Sequence, residues 1–187
     1  MDPIATLTMA NGKRIVFRLL PEAAPNTVNS FIYLAGLKVF DHYPIQRFVP
    51  GDWVDMSYTA FGQPEAKYLI DNEAAAQSHI FPHLGSVGMG GYGELGIAGG
   101  EFYFPLRDCP ELYGHYPMFG EVAEGLDEII RLGQVPLVKG EYPGHPEAKL
   151  YHAVTPEIIE TVRVETFGVV YPPPRKRAEQ IWPENWK

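Results

Sequence analysis

Cysteine is almost missing from this sequence. Cys109 is the single example in 187 residues, so no internal disulfide can form and no oxidising compartment is needed. Pro110 follows it and no base stands near, which makes Cys109 a small buried residue by expectation and not a nucleophile. Long hydrophobic runs are missing too: no stretch approaches the roughly 18 apolar residues that a membrane span needs. Met1-Asp2-Pro3 opens without the basic start and apolar run of a signal peptide. A cytoplasmic location, with no membrane partner, is the resulting expectation. Positive charge is short as well, with 15 Lys and Arg against 23 Asp and Glu and a formal net charge of −8. Phosphate binding needs a basic face, so the charge argues against a nucleic-acid partner.

Ordered sets of metal ligands and paired catalytic acids are also lacking. Of the six histidines, His42, His79, His83, His115, His145 and His152, only His79 and His83 stand at helical spacing. Pro82 between them spoils the helix, and no metal site is expected. Asp52 and Asp55 on one strand would face opposite sides, which argues against a two-carboxylate hydrolase. The glycine-rich stretch from Gly90 to Gly100 has no Lys-Ser/Thr ending and no following helix, so it is not a phosphate loop.

Glycine (19) and proline (18) are abundant, and 45% of residues are hydrophobic. That balance favours many short elements joined by tight turns around a real core. Ile4 to Met9 and Arg14 to Leu19 alternate apolar and polar residues around Asn11-Gly12, a strong hairpin signal. Pro25 to Gly36 reads as a helix with Val28, Phe31, Ile32 and Ala35 on one face. Further strands are expected at Ile45–Val49, Trp53–Tyr58, Gly85–Met89, Glu101–Leu106, Met118–Val122 and Thr161–Val170, the last with Val162, Val164 and Phe167 inward. A second helix spans about Leu126 to Leu132, with Leu126, Ile129 and Ile130 inward. Thr59 to His83 reads as a long surface excursion, and Gly140 to Pro156 as a loop. No βαβ alternation and no internal repeat appears. The expected fold is mainly β: a closed eight-stranded antiparallel barrel with two helices covering its ends. Residues 1–170 form the expected domain. Residues 171–187, with Pro172-Pro173-Pro174, Arg175-Lys176-Arg177, Trp182 and Trp186, form a tail expected to pack on the barrel or on a partner.

Three segments in order carry a family resemblance. Pro44-Ile45-Gln46-Arg47-Phe48-Val49-Pro50-Gly51 resembles the cyclophilin strand in which an arginine precedes two apolar residues and Pro-Gly. Gly85-Ser86-Val87-Gly88-Met89, then Gly99-Gly100-Glu101-Phe102-Tyr103-Phe104, is similar to that family's small-residue segment leading to two adjacent aromatics. Met118-Phe119-Gly120-Glu121-Val122 through Gly125-Leu126 resembles its Phe-Gly-x-Val-x-x-Gly segment. Ala24-Pro25-Asn26-Thr27-Val28 with Phe31, and Ile70-Asp71-Asn72-Glu73, add flanking similarity. The resemblance spans residues 4 to 170.

The resemblance implies a peptidyl-prolyl cis-trans isomerase that acts without a cofactor, as a monomer, on proline-containing peptides or protein clients. Uncatalysed X–Pro isomerisation takes tens to hundreds of seconds, because amide resonance must be broken. A catalyst needs an apolar hollow for the ring and a fixed donor that favours the twisted amide. Arg47 would be the catalytic donor. Phe48, Trp53, Asp55, Met89, Glu101, Phe102, Tyr103, Leu112 and Tyr116 would bind substrate, with Tyr103 lining the proline pocket. Several positions depart from the family pattern. Gln46 and Tyr116 replace histidines, Asp55 and Glu101 replace glutamines, Gly91 replaces an asparagine, and Asp52 stands where an aromatic is usual, unless the register slips by one and Trp53 fills that place. A tryptophan that contacts cyclosporin in many members is missing near Glu111. A carboxylate on Arg47 would compete with the substrate amide for its donors, so weakened activity is expected. A silent proline-peptide-binding module is the alternative.

Overall fold

The computed structural model describes residues 1–58, 64–76, 80–141 and 150–182. The chain opens with β1 (Ile4–Met9) and β2 (Arg14–Leu19), an antiparallel hairpin with Ile4 opposite Arg18 and Thr8 opposite Arg14. Gly12 takes φ +83° in the turn, and the Asn11 side chain accepts the Lys13 amide at 2.8 Å. Strict alternation sends Ala5, Leu7, Ile15, Phe17 and Leu19 into the core.

Helix α1 (Pro25–Gly36) follows, with proline in its first turn and no side-chain cap from Ala24. The cap comes from elsewhere in the chain. The Glu73 carboxylate accepts the amides of Asn26 and Thr27 at 3.0 and 2.8 Å and the Thr27 hydroxyl at 2.7 Å. A negative group is well placed there, because the first-turn amides point outward with the positive end of the helix dipole. Val28, Phe31, Leu34 and Ala35 are buried. Phe31 is the hub of an aromatic core, stacked on Phe40 and edge-on to Phe17 and Phe102 at 5.3 to 5.6 Å.

The remaining elements are β3 (Tyr43–Pro44), β4 (Arg47–Val49), β5 (Trp53–Asp55), β6 (Leu69–Ile70), β7 (Ser86–Gly91), β8 (Ile97–Pro105), β9 (Met118–Glu124), α2 (Leu126–Leu132), β10 (Leu137–Lys139), β11 (Tyr151–Ala153) and β12 (Ile158–Glu165). The strands form one twelve-stranded sheet in the order β10-β11-β4-β5-β8-β7-β9-β2-β1-β12-β3, with β6 also on β8. The fold is mainly β with two helices, as expected, but the ladder is not a closed ring of eight. Its path ends at β3 and β10, and β3, β6, β10 and β11 are additions too short to carry a period of two.

Other expectations change for physical reasons. The last strand ends at Glu165, and Phe167 sits at φ +53°, half exposed outside the sheet. Leu126 and Ile130 on α2 are exposed, while Ile129 and Leu132 are buried. The excursion after β5 is not all surface, since Ala66, Tyr68, Leu69, Ile70 and Ala74 are buried. The residues expected around Gly62, His79, Pro143, His145, Pro146 and Trp186 lie outside the described residues. No described helix is long and apolar enough to cross a membrane.

Replacing Glu73 with alanine removes the cap of α1 and should cost about 2 kcal/mol. Chemical denaturation reads this as a lower midpoint with an unchanged slope; an unchanged midpoint would contradict it.

Candidate functional site

The site is assembled by register. Arg47 on β4 stands directly opposite Asp55 on β5, Asp55 opposite Tyr103 on β8, Tyr103 opposite Gly88 on β7, and Gly88 opposite Met118 on β9. One row of directly opposed residues therefore crosses five strands. Directly opposed side chains share a face and interact. Alternation sends the neighbours of this row the other way: Phe48, Val54, Phe102 and Phe104 belong to the main core.

Gly88 makes room in the row. A Cβ there would lie 2.3 Å from Tyr103 Cζ and 2.6 Å from Met118 Cε, so the phenol lies over bare backbone. Tyr103, Cys109, Leu112 and Met118 form a second, smaller apolar cluster, with Trp53, Ile80 and Tyr116 packed against it. The ring of Tyr103 meets Trp53 at 6.4 Å and Tyr116 edge-on at 6.3 Å.

Beside this cluster lies a pocket of ≈ 260 Å³. Arg47, Trp53, Asp55, Glu101, Tyr103, Leu112 and Tyr116 line it, all of them among the expected site residues. Phe48, Met89 and Phe102 were expected there as well, but they are buried in the main core and do not line the pocket. Tyr58, Tyr92, Gly90 and Gly91 line it without having been anticipated as substrate contacts. The substitution of Gly91 was visible in the sequence. An aromatic within a glycine-rich stretch was the available signal for Tyr92. Tyr58 follows β5 in irregular chain, and no periodicity marks it.

The electrostatics centre on one ion pair. Arg47 Nη1 donates to Asp55 Oδ2 at 2.5 Å, and the guanidinium lies 5.4 Å from the centre of the Tyr58 ring. Asp55 is only 6% exposed. Burial pushes its carboxyl above the ordinary value of 3.8, against the pull of Arg47 and the Trp53 N–H. Burial works against the Arg47 charge too, but Asp55, Tyr58 and Glu101 together hold its pKa above the usual value. Glu101 is buried and accepts the Tyr92 hydroxyl at 2.5 Å. The Tyr103 hydroxyl is buried with no hydrogen-bond partner among the described residues, and burial drives its pKa well above 10.0. Asp52 points away, to an ion pair with Arg107 at 2.7 Å. Glu111 pairs with Arg107 as well. No group of His, Cys, Asp and Glu among the described residues is arranged to hold a metal ion.

An arginine set beside an aromatic hollow suits recognition of an apolar ring next to a polar amide. Comparison with known proteins gives that class a family. The chain belongs to the cyclophilin-type peptidyl-prolyl cis-trans isomerase family, whose model, described as "Cyclophilin type peptidyl-prolyl cis-trans isomerase/CLD", matches residues 4–155. It is 30% identical over 123 residues to peptidyl-prolyl cis-trans isomerase B of Bacillus subtilis, covering 64% of this chain and 82% of that one. Its fold is similar to the crystal structure of a cyclophilin-type isomerase of Cryptosporidium parvum, with a TM-score of 0.70, 17% identity, and coverage of 89% of this chain and 99% of that one. A second structure of that protein, in the presence of the dipeptide Ala-Pro, matches with a TM-score of 0.68 and 16% identity over 87% of this chain and 99% of that one.

Removing the orphan hydroxyl by Tyr103→Phe should stabilise the fold by about 1 kcal/mol, since a buried unpaired donor is lost without leaving a cavity. A denaturation midpoint below that of the parent protein would contradict this.

Proposed function

We propose that the pocket seats the prolyl ring of an X–Pro segment against Tyr103, Leu112 and Tyr116, with Arg47 as the catalytic donor. As the amide twists, its nitrogen loses resonance and becomes a hydrogen-bond acceptor. A guanidinium donor fixed at that point binds the twisted form more tightly than either planar isomer, which lowers the barrier. Arginine suits this task because its charge does not titrate near neutrality and its planar fork resists reorientation. No cofactor enters the step. Trp53, Tyr58 and Tyr92 would form the rim over which the peptide backbone runs. The clients are proline-containing protein chains, met by a monomer in the cytoplasm.

The observation that carries this reading is Arg47 standing at the edge of an aromatic-walled pocket, with one of its nitrogens on Asp55. That same contact supports weakened catalysis. Asp55 occupies a donor that a substrate carbonyl or nitrogen would use, and a charged acceptor holds it more strongly than a neutral amide does. Substrate must therefore displace or share Asp55.

A protease-coupled assay on a panel of proline peptides tests the proposal. Arg47→Ala should lower kcat/KM by about 100-fold or more, and equal rates for the two proteins would remove the catalytic claim. Asp55→Gln should raise kcat/KM by roughly tenfold, as expected when about 1.4 kcal/mol of competition is relieved. The pH dependence has a definite sign. Asp55 has a raised folded-state pKa, so as pH falls through that raised value its carboxyl gains a proton and its hold on Arg47 weakens. Activity should rise on acidification in the parent protein and stay flat in Asp55→Gln. Stability should also increase as pH falls between the raised value and 3.8, because the folded state there binds the extra proton. An activity profile that is flat or falling in the parent protein would count against the competition.

A further inference from the structure

The chain after β12 returns across the molecule, and its last described residues lie beside the pocket. Asn26 and Arg175 exchange two hydrogen bonds: Asn26 Nδ2 donates to the Arg175 carbonyl at 2.9 Å, and the Arg175 amide donates to Asn26 Oδ1 at 2.8 Å. The Arg177 amide then donates to the Leu69 carbonyl at 2.8 Å. Gln180 takes the Leu69 amide at 2.7 Å and returns a bond to the Leu69 carbonyl at 3.0 Å. Lys176 lies over the Tyr68 ring at 4.4 Å. These contacts tie the segment to α1 and to β6.

Two further contacts reach the turn that begins at the pocket residue Tyr92. Arg177 Nη1 donates to the Glu94 carbonyl at 3.1 Å, and the Trp182 ring meets the Tyr92 ring edge-on at 5.9 Å. Gly96 has φ +119°, and a Cβ there would lie 2.7 Å from Arg177 Cδ. The turn they touch closes on itself. Its backbone links are local: Tyr92 to Gly96 at 2.9 Å, Gly96 to Gly93 at 3.1 Å and Leu95 to Tyr92 at 3.2 Å. Yet Tyr92 lines the pocket, and its hydroxyl holds the buried Glu101 that lines it too. A path of direct contacts thus runs from the tail, through Tyr92, to a carboxylate in the site.

We propose that residues 175–182 act as a strap, with Arg177 and Trp182 as positioning residues that set the Tyr92–Glu101 wall and so the affinity for peptide. The peptide-affinity part rests on the proposed prolyl isomerase reading; the strap itself does not. The turn is self-bonded over five residues, and such turns open at low cost unless packed from outside. Arg177 and Trp182 supply that packing from opposite ends of the turn.

The test uses the full-length Arg177→Ala/Trp182→Ala protein, with Arg175→Ala as control because Arg175 holds Asn26 through backbone atoms. Amide hydrogen exchange and steady-state kinetics on a proline peptide are the readouts. The Tyr92, Leu95 and Gly96 amides should exchange about tenfold faster in the double variant, with the β1–β2 amides unchanged. KM should rise several-fold with kcat within about twofold, the mark of lost ground-state positioning. The control should match the parent protein in both. Unchanged exchange at Tyr92–Gly96 would overturn the strap. Faster exchange throughout the barrel would overturn it too, by showing plain destabilisation. Local acceleration with unchanged KM would overturn the positioning role. If the parent protein neither turns over nor binds proline peptides, the isomerase reading fails, and exchange alone decides the strap.

Discussion

A carboxylate as buried as that of Asp55 can stay ionised because Arg47 stands across the ladder from it. An unpaired charge at that depth would cost several kcal/mol, so the β4–β5 register and the ion pair require each other. A slip of β4 by one residue against β5 would carry Arg47 to the core face and Phe48 to the surface, and leave Asp55 without its partner. The hydrophobic pattern and the charge pair therefore select the same alignment. The consequence for the proposed function is direct: the group assigned to polarise a substrate amide is also the group on which a buried acid depends. Any ligand that engages Arg47 has to leave Asp55 satisfied.

The row that begins with this pair also explains why the molecule has two apolar clusters. Inward residues of β1, β2, β4, β8 and α1 build the main core around Phe31. Outward residues of the row, Tyr103 and Met118, cannot join that core, so they gather Cys109, Leu112, Trp53 and Tyr116 into a smaller one. Gly88 is what allows a large ring to lie flat at the junction. The pocket is then the unfilled margin of the smaller cluster. Its walls come from separate parts of the chain, Gly90 to Tyr92 on one side and Leu112 and Tyr116 on the other.

How much of this was legible in the sequence follows from the kind of signal each part carries. The Asn-Gly hairpin and the two helices announce themselves through turn chemistry and period, and their limits agree closely with the structure. Arg47, Asp55, Glu101 and Tyr103 were singled out through resemblance, and register gathers them at one pocket. Phe48, Met89 and Phe102 share segments with those residues yet face inward. Strand alternation separates Phe48 from Arg47 and Phe102 from Tyr103, and applied strictly it would have removed both. The short strands β3, β6, β10 and β11 are stabilised by the ladder they join, not by their own composition, so no local pattern reveals them. The Glu73 cap of α1, the Tyr92–Glu101 bond and the contacts of the tail join residues far apart in the chain or set by loop geometry, which a single sequence does not display.

The proposed sharing of Arg47 between Asp55 and substrate is most directly tested on the guanidinium itself. Nitrogen-15 spectra of the arginine side chains, recorded while an Ala-Pro-containing peptide is added, resolve the Arg47 Nη and Nε groups. The account predicts that these signals move on addition of peptide, and that in Asp55→Gln the Nη signal is already displaced in the free protein. Arg47 signals that stay fixed while the peptide binds would show that the guanidinium belongs to Asp55 alone.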